Sequence, residues 1–260
     1  MKIAVAGGTG CVGRLVVEAV RSAGETPVVL ARASGVDLTT GAGLDDAMRD
    51  VSAVIDVSNV ATFGRRKSIA FFETATQNLL AAGTRAGVSH HVALSIVGVD
   101  RFDFGYYAGK NRQEELVLSG RLPASVLRAT QFHEFAAQML ERMRGPIVAV
   151  PASVNQPIGA REVADALVTL AFGEPAGLAP DLAGPERQSM VEMVRRLARA
   201  RGSHRLVVPV RLPGSVGKAM LNGGLLPTGP GPRGVQTFDE WLSAEMTDGH
   251  GVAEDRRSDT

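Results

Sequence analysis

The chain has 260 residues, of which 45% are hydrophobic and 21% charged, the balance of a folded globular protein and not of a disordered one. Lys plus Arg number 28 against 27 for Asp plus Glu, so the basic excess that nucleic-acid binding needs is missing. A single cysteine excludes an internal disulfide framework, and no apolar run reaches the 18 residues of a membrane-spanning helix.

In chain order, the start is Met1-Lys2-Ile3-Ala4-Val5-Ala6-Gly7-Gly8, without the apolar core of a signal peptide. With the one cysteine, it leads us to expect a cytoplasmic protein. Apolar β-prone runs then alternate with helical patterns through the first 150 residues, which predicts α/β architecture with a doubly wound parallel sheet of the Rossmann type. Strands are predicted over 2–6, 27–31, 53–57, 91–95, 124–127 and 147–150. Helices are predicted over 11–23, 67–86, 106–119 and 133–144. In the first helix Leu15, Val16, Ala19 and Val20 share one stripe, a packing face at helical spacing. His90 and His91 open a strand, where neighbouring side chains face opposite ways, so they do not make a metal site and none is expected.

Beyond residue 150 the pattern changes. Helices are expected over 161–171 and 189–200, a short strand over 206–209, and a last helix over 237–246 carrying the only tryptophan, Trp241. Between them, 213–234 is dense in glycine and proline and reads as an irregular loop. Its glycines 214, 217, 223 and 224 make it a candidate lid. Arg195, Arg196, Arg199 and Arg201 form a basic stripe that reads as a solvated face. The expected organisation is a core over 1–150 with a small cap over 151–246 packed on it in the same domain, and a disordered polar tail over 247–260.

Gly7-Gly8-Thr9-Gly10-Cys11-Val12-Gly13 lies between a predicted strand and a predicted helix. Two patterns overlap in it, Gly8-x-Gly10-x-x-Gly13 and Gly7-x-x-Gly10-x-x-Gly13. Glycines at such spacing give a tight turn, a close backbone approach to a pyrophosphate and close helix–strand packing. The helix that follows points its positive end at the phosphates. An NAD site has an acidic residue at the end of the second strand. Here that strand runs out as Val29-Leu30-Ala31-Arg32-Ala33-Ser34. Arg32 offers a bidentate cation for a 2′-phosphate and Ser34 a hydroxyl, so NADP is expected, with NAD as the alternative.

These residues, with Asp37-Leu38, Leu94-Ser95-x-x-Gly98, Tyr106-x-x-x-Lys110 and Leu127-Arg128-Ala129-Thr130-Gln131-Phe132, resemble the atypical short-chain dehydrogenases/reductases of the NmrA-like, NAD(P)H-binding group over about the first 170 residues. The resemblance implies that Asp37 contacts the adenine ring and that Val57-Ser58-Asn59 lies along the cofactor. It also implies that 130–132 lines the nicotinamide side, with Gln131 a cofactor contact. In such proteins the Tyr is a general acid/base and the Lys holds the nicotinamide ribose while lowering the Tyr pKa. That gives Tyr106 and Lys110 those roles, and gives Ser95 the substrate-orienting hydroxyl. Relatives often lose the Tyr and keep the Lys.

Only 11 residues separate Ser95 from Tyr106, a tight interval, so Tyr107 is a rival for the acid/base. The stretch from Arg32 to Asp37 is short by the family's measure, which implies a vestigial third strand. Phe132 and His133 follow the predicted fifth strand, and with Tyr107 they are candidate pocket residues. If Phe102, Phe104, Tyr106 and Tyr107 converge, they suit a flat apolar substrate. Cys11 reads as small hydrophobic packing, and Lys110 with Glu114 as an i,i+4 pair on an exposed helix.

The expected function is an NADPH-dependent oxidoreductase acting on an apolar, aromatic or quinone-like carbonyl compound, as monomer or homodimer. The alternatives are a non-catalytic NADP-binding redox sensor and a non-reductive or oxygenating enzyme on the same scaffold.

Overall fold

A computed structural model describes residues 1–255. The chain forms β1 (Lys2–Ala6), α1 (Cys11–Ser22), β2 (Thr26–Leu30), α2 (Leu44–Ala47), β3 (Val51–Asp56), α3 (Arg65–Ala86), β4 (His90–Ile96), α4 (Gly105–Ser119) and β5 (Ala124–Ala129). It continues through α5 (Phe135–Arg142), β6 (Ile147–Pro151), β7 (Val154–Asn155), α6 (Ala160–Phe172), β8 (Gly177–Leu178), β9 (Gln188–Ser189), α7 (Met190–Ala200), β10 (Leu206–Val210), α8 (Gly214–Leu221) and α9 (Phe238–Asp255). These elements divide into two compact units. The first is Met1–Ala129 with Ala160–Leu182 and Gly229–Gly231, and the second holds the remainder.

The first unit is built on one parallel sheet in the order β2-β1-β3-β4-β5-β8. Helices cover both faces of its inner strands: β1 and β3 are buried from Ile3 to Ala6 and from Ala53 to Asp56. Chain order reverses at β1, whose neighbours are β2 on one side and β3 on the other, and ligands of open α/β sheets bind at such a switch point. No strand forms between β2 and β3. A 3-10 turn over Arg32–Ser34 and α2 fill that stretch, so β2 is the sheet edge and the strand that would lie outside it is missing, in keeping with the short stretch after Arg32. Val36, Leu44 and Met48 still bury themselves with Leu30, Val54 and Leu79. Helices α3 and α4 pack so closely that a Cβ on Gly109 would lie 2.1 Å from the Ser68 Oγ, and that hydroxyl donates to the Tyr106 carbonyl at 2.9 Å.

The second unit has a core of its own, in which Val148, Val150, Met193, Val194, Leu197, Val207, Phe238 and Trp241 are buried together. Here β6 pairs in parallel with β10, and β7 with β9 antiparallel. The run over 147–151 is therefore a strand, as expected, but in the second unit. The sixth place in the main sheet goes to β8, Gly177 and Leu178, two residues too few to show a strand pattern. A five-residue apolar run does not name its neighbour. The division also differs from a core over 1–150 with a cap, since α6 and β8 return to the first unit.

Within the segment expected to be one irregular loop, Gly214–Leu221 is helical. The last helix continues through Asp255, past Thr247 where a disordered tail was expected, and 256–260 lie outside the described residues. The basic stripe of α7 is solvated at Arg195 and Arg199, as expected, and tied down at Arg196 and Arg201. Arg199 pairs with Glu192 at 2.7 Å, Arg201 with Glu141 at 3.0 Å and Glu245 at 2.6 Å, and Arg196 with Asp239. None of the described helices is long and apolar enough to cross a membrane.

Candidate functional site

At the switch point of the first unit a cleft of about 480 Å³ is lined by Gly7, Thr9, Gly10, Arg32, Asp37, Thr39, Val57, Ser58, Asn59 and Phe71, among others. Two glycines shape its floor. Gly7 has φ +78°, and a Cβ there would lie 2.9 Å from the Ser58 Cα and the Val57 carbonyl. A Cβ on Gly13 would lie 2.1 Å from the Gly7 carbonyl oxygen. Any side chain at either position would push the loop off the sheet or the helix off the loop. Gly7-x-x-Gly10-x-x-Gly13 is thus the pattern the geometry uses.

The first helical bond of α1 runs from the Arg14 N–H to the Gly10 carbonyl at 3.0 Å, and its first turn holds no acidic residue. The positive end of the helix therefore opens at 10–13, where an anion is stabilised. Cys11 is exposed there, not packed as a small apolar residue. Val12 is partly buried and Gly13 buried.

Arg32 is exposed on the cleft and makes no ion pair among the described residues. Ser34 does not share its role, since its hydroxyl donates to the Val29 carbonyl at 2.7 Å and accepts from the Ala31 N–H at 3.1 Å. That hydroxyl closes the 3-10 turn that carries Arg32. Asp37 Oδ1 accepts from the Thr39 hydroxyl at 2.6 Å and from the Thr39 and Thr40 N–H groups. The Thr39 hydroxyl above all, with those N–H groups and Arg32, holds the Asp37 carboxyl below the usual range. Ser58 lines the cleft with a buried hydroxyl that has no partner among the described residues. A buried hydroxyl without a partner is costly, so the cleft fits a ligand that brings hydrogen-bonding oxygens.

The structure separates the four candidate chemical groups. Tyr106 is half-buried and donates its hydroxyl to Asn59 Oδ1 at 2.7 Å, and Asn59 lines the cleft. Burial, Tyr107 and Asp56 push the Tyr106 hydroxyl well above its ordinary value, so it is protonated at neutral pH. Burial pushes Tyr107 up to about 12, and its ring packs among Phe102, Phe104 and Tyr106, so the aromatic convergence exists.

Lys110 is 3% exposed and absent from the cleft lining. Its ammonium donates to the Leu94 carbonyl at 2.5 Å and to Gln113 Oε1, and it lies 4.8 Å from the centre of the Phe72 ring. Burial lowers its pKa to about 8, against the pull of Asp56 and Glu114. Ser95 is also 3% exposed, with a hydroxyl that meets no partner among the described residues. Glu114 is not the exposed mate of Lys110. It is buried and grips Arg128 of β5 at 2.9 and 2.7 Å, and Arg128 reaches Asp100 at 3.1 Å.

The segment over 130–132 follows β5 directly and starts the second unit. Within that unit the Ile158 N–H donates to the Gln131 carbonyl at 3.0 Å, and Phe132 bridges to Ile158. His133, expected at a pocket, is 0% exposed. Its ring lies against Phe238 and Trp241, with Nε2 3.0 Å from the Gln236 carbonyl, which makes it a core residue. Two groups that sequence reasoning did not single out are Asp56 and Gln113, both buried. The acidic Asp56 closing the apolar run Ala53-Val54-Ile55 was the available signal.

No family model matches the sequence, and no curated protein matches it. Solved structures do. MoeE5 in complex with UDP-glucose and NAD aligns with a TM-score of 0.71 at 20% identity over 100% of both chains. A short-chain dehydrogenase/reductase superfamily protein from Agrobacterium tumefaciens with bound NAD gives 0.67 at 20% identity, over 99% of this chain and 100% of that one. The NADPH-dependent quinone oxidoreductase QOR2 from Escherichia coli, complexed with NADPH, gives 0.68 at 18% identity over 93% and 99%. At these identities the likeness is one of fold. The chain has the Rossmann-like α/β fold of these structures.

Proposed function

We propose that this protein is an NAD(P)-dependent oxidoreductase with a preference for NADPH. The observation that carries the reading is the cleft at the switch point. Its floor is formed by Gly7 and Gly13 with no room for a Cβ, the positive end of α1 opens toward it, and Arg32 lies unpaired on its lining. In this reading Arg32 receives the adenosine 2′-phosphate, Asp37 the adenine side, and the free Ser58 hydroxyl an oxygen of the dinucleotide. A bound nicotinamide supplies or accepts the hydride. Tyr106, protonated and hydrogen-bonded to Asn59 on the lining, gives the proton to the carbonyl oxygen that hydride transfer makes basic. Phe71 on the cleft lining, joined through the Phe72 ring to Tyr106 and Tyr107, supports a flat carbonyl substrate of quinone type, as does the likeness to a quinone oxidoreductase.

Calorimetry with the four pyridine nucleotides tests the first half. NADPH should bind tightest, and no heat with any of them would refute the cofactor site. NADPH oxidation over a panel of ketones and quinones tests the second. A second reading, a redox sensor without turnover, is favoured by the seclusion of Lys110 and Ser95 from the cleft. Tight binding with no oxidation by any substrate would support it over the first.

A further inference from the structure

A chain of buried polar groups runs from Lys110 to the wall of the cleft. Gln113 Oε1 accepts from the Lys110 ammonium, and Gln113 Nε2 donates to Asp56 Oδ2 at 2.8 Å. Asp56 Oδ1 accepts from the Ser58 N–H at 2.9 Å. Ser58 is the residue whose backbone leaves Gly7 no room for a Cβ. Asp56 is 0% exposed and Gln113 1%. Asp56 makes no ion pair among the described residues, so the cation that balances it is Lys110, one amide away. We propose that Lys110 is a positioning residue for the dinucleotide. In its charged state it orients the Gln113 amide, which completes the hydrogen bonds of Asp56 and so locks the Ser58 turn against the glycine loop. This inference rests on the cleft being a dinucleotide site.

The physical chain is short. A charged ammonium fixes which way the Gln113 amide faces, because only its carbonyl can accept. Once the amine is neutral its bond to Gln113 Oε1 loses its charge assistance, and the amide is pinned only from the Asp56 side. Asp56 then loses the cation that balances it, and a buried carboxylate without its counter-charge is unfavourable. The turn it holds loosens where the pyrophosphate would lie.

The charged and titratable groups that face Lys110 are Asp56 of β3 and Glu114 of its own helix, with Arg128 of β5 bound to Glu114. From β4, His91 sits near Asp56, and burial holds its pKa down, so it stays neutral. Helix α3 presents the Phe72 ring. Burial brings the titration of Lys110 to about pH 8, within reach of experiment.

The test is the dissociation constant for NADPH between pH 7 and 10, where a phosphate with a pKa of about 6 is already fully charged. A Cys11→Ala background removes the exposed thiol from the titration. The expected result is a constant Kd below about pH 8 and a rise of about tenfold by pH 9.5, the linkage expected if the bound cofactor raises the Lys110 pKa by about one unit. Lys110→Met and Gln113→Met should each bind more weakly at pH 7 and show no such rise. If Lys110→Met does not fold, Asp56→Asn/Lys110→Met, which removes both charges, is read in its place and should also be flat. A flat wild-type profile, or a slope that survives in Gln113→Met or in either lysine variant, overturns the inference. Absence of binding at every pH overturns the cofactor site itself, which is a different result.

Discussion

Arg32 and Ser34 stand two positions apart on one turn, yet they do different work. The guanidinium is exposed and unpaired, while the hydroxyl is consumed by backbone groups. Arg32→Ala should therefore weaken NADPH by about tenfold or more, the value of one or two charge-assisted hydrogen bonds, and leave NADH nearly unchanged, as read by calorimetry. Ser34→Ala should instead lower Tm without changing the preference between the two cofactors. Tyr106→Phe should cut kcat for NADPH oxidation by about 10²-fold or more while the dinucleotide Kd holds.

The stability of the free protein should move opposite to its affinity. A lysine whose folded pKa is lowered from 10.5 to about 8 binds fewer protons folded than unfolded between those values. Stability from this group therefore rises as pH climbs from about 8 to 10.5, by about 3 kcal/mol at most. Comparing urea unfolding of wild type and Lys110→Met across that range checks the sign. It also shows that weaker binding at high pH is not unfolding.

At the scale of elements, α4 is the organising piece. It carries Tyr106 toward Asn59, Lys110 and Gln113 toward Asp56, and Glu114 toward Arg128 of β5, three polar connections from one helix into three neighbouring segments. The Arg128–Glu114 pair is nearly sealed, with side chains 13% and 7% exposed. Removing Glu114 leaves Arg128 only the exposed Asp100, so Glu114→Ala should cost about 3 kcal/mol in urea unfolding. Arg112 with Glu115, both more exposed, should cost under about 1 kcal/mol by the same measure. The sequence shows Lys110 and Glu114 one turn apart and nothing more. That spacing fits an exposed pair as well as two buried groups with separate partners, because the partners lie on other elements.

At the scale of the molecule, the first unit is discontinuous. Helix α6 buries Val163, Ala164, Leu167 and Val168 and ties to α1 through Arg161 and Glu18 at 2.5 Å. A fragment of residues 1–150 therefore lacks a helix that covers the sheet and the β8 edge. It also holds α5 and β6 without the α7 and β10 they pack on. Such a fragment should show no cooperative urea transition, where the full chain should show one. A cooperative transition in the fragment would mean that the sheet does not need α6.

What was written into local order along the chain is the alternation of strand and helix, the glycine loop with its anion-facing helix, the arginine after β2 and the missing strand that follows it. Each depends on residues close in sequence, where backbone sterics and periodicity act directly. Only folding in three dimensions decided that β6 leaves the main sheet, that His133 is core, that Lys110 is buried off the cleft lining, and that Gln113 and Asp56 link it to Ser58. Burial and hydrogen-bond partners are set by segments tens of residues apart, and no local pattern records which distant surface a side chain will meet.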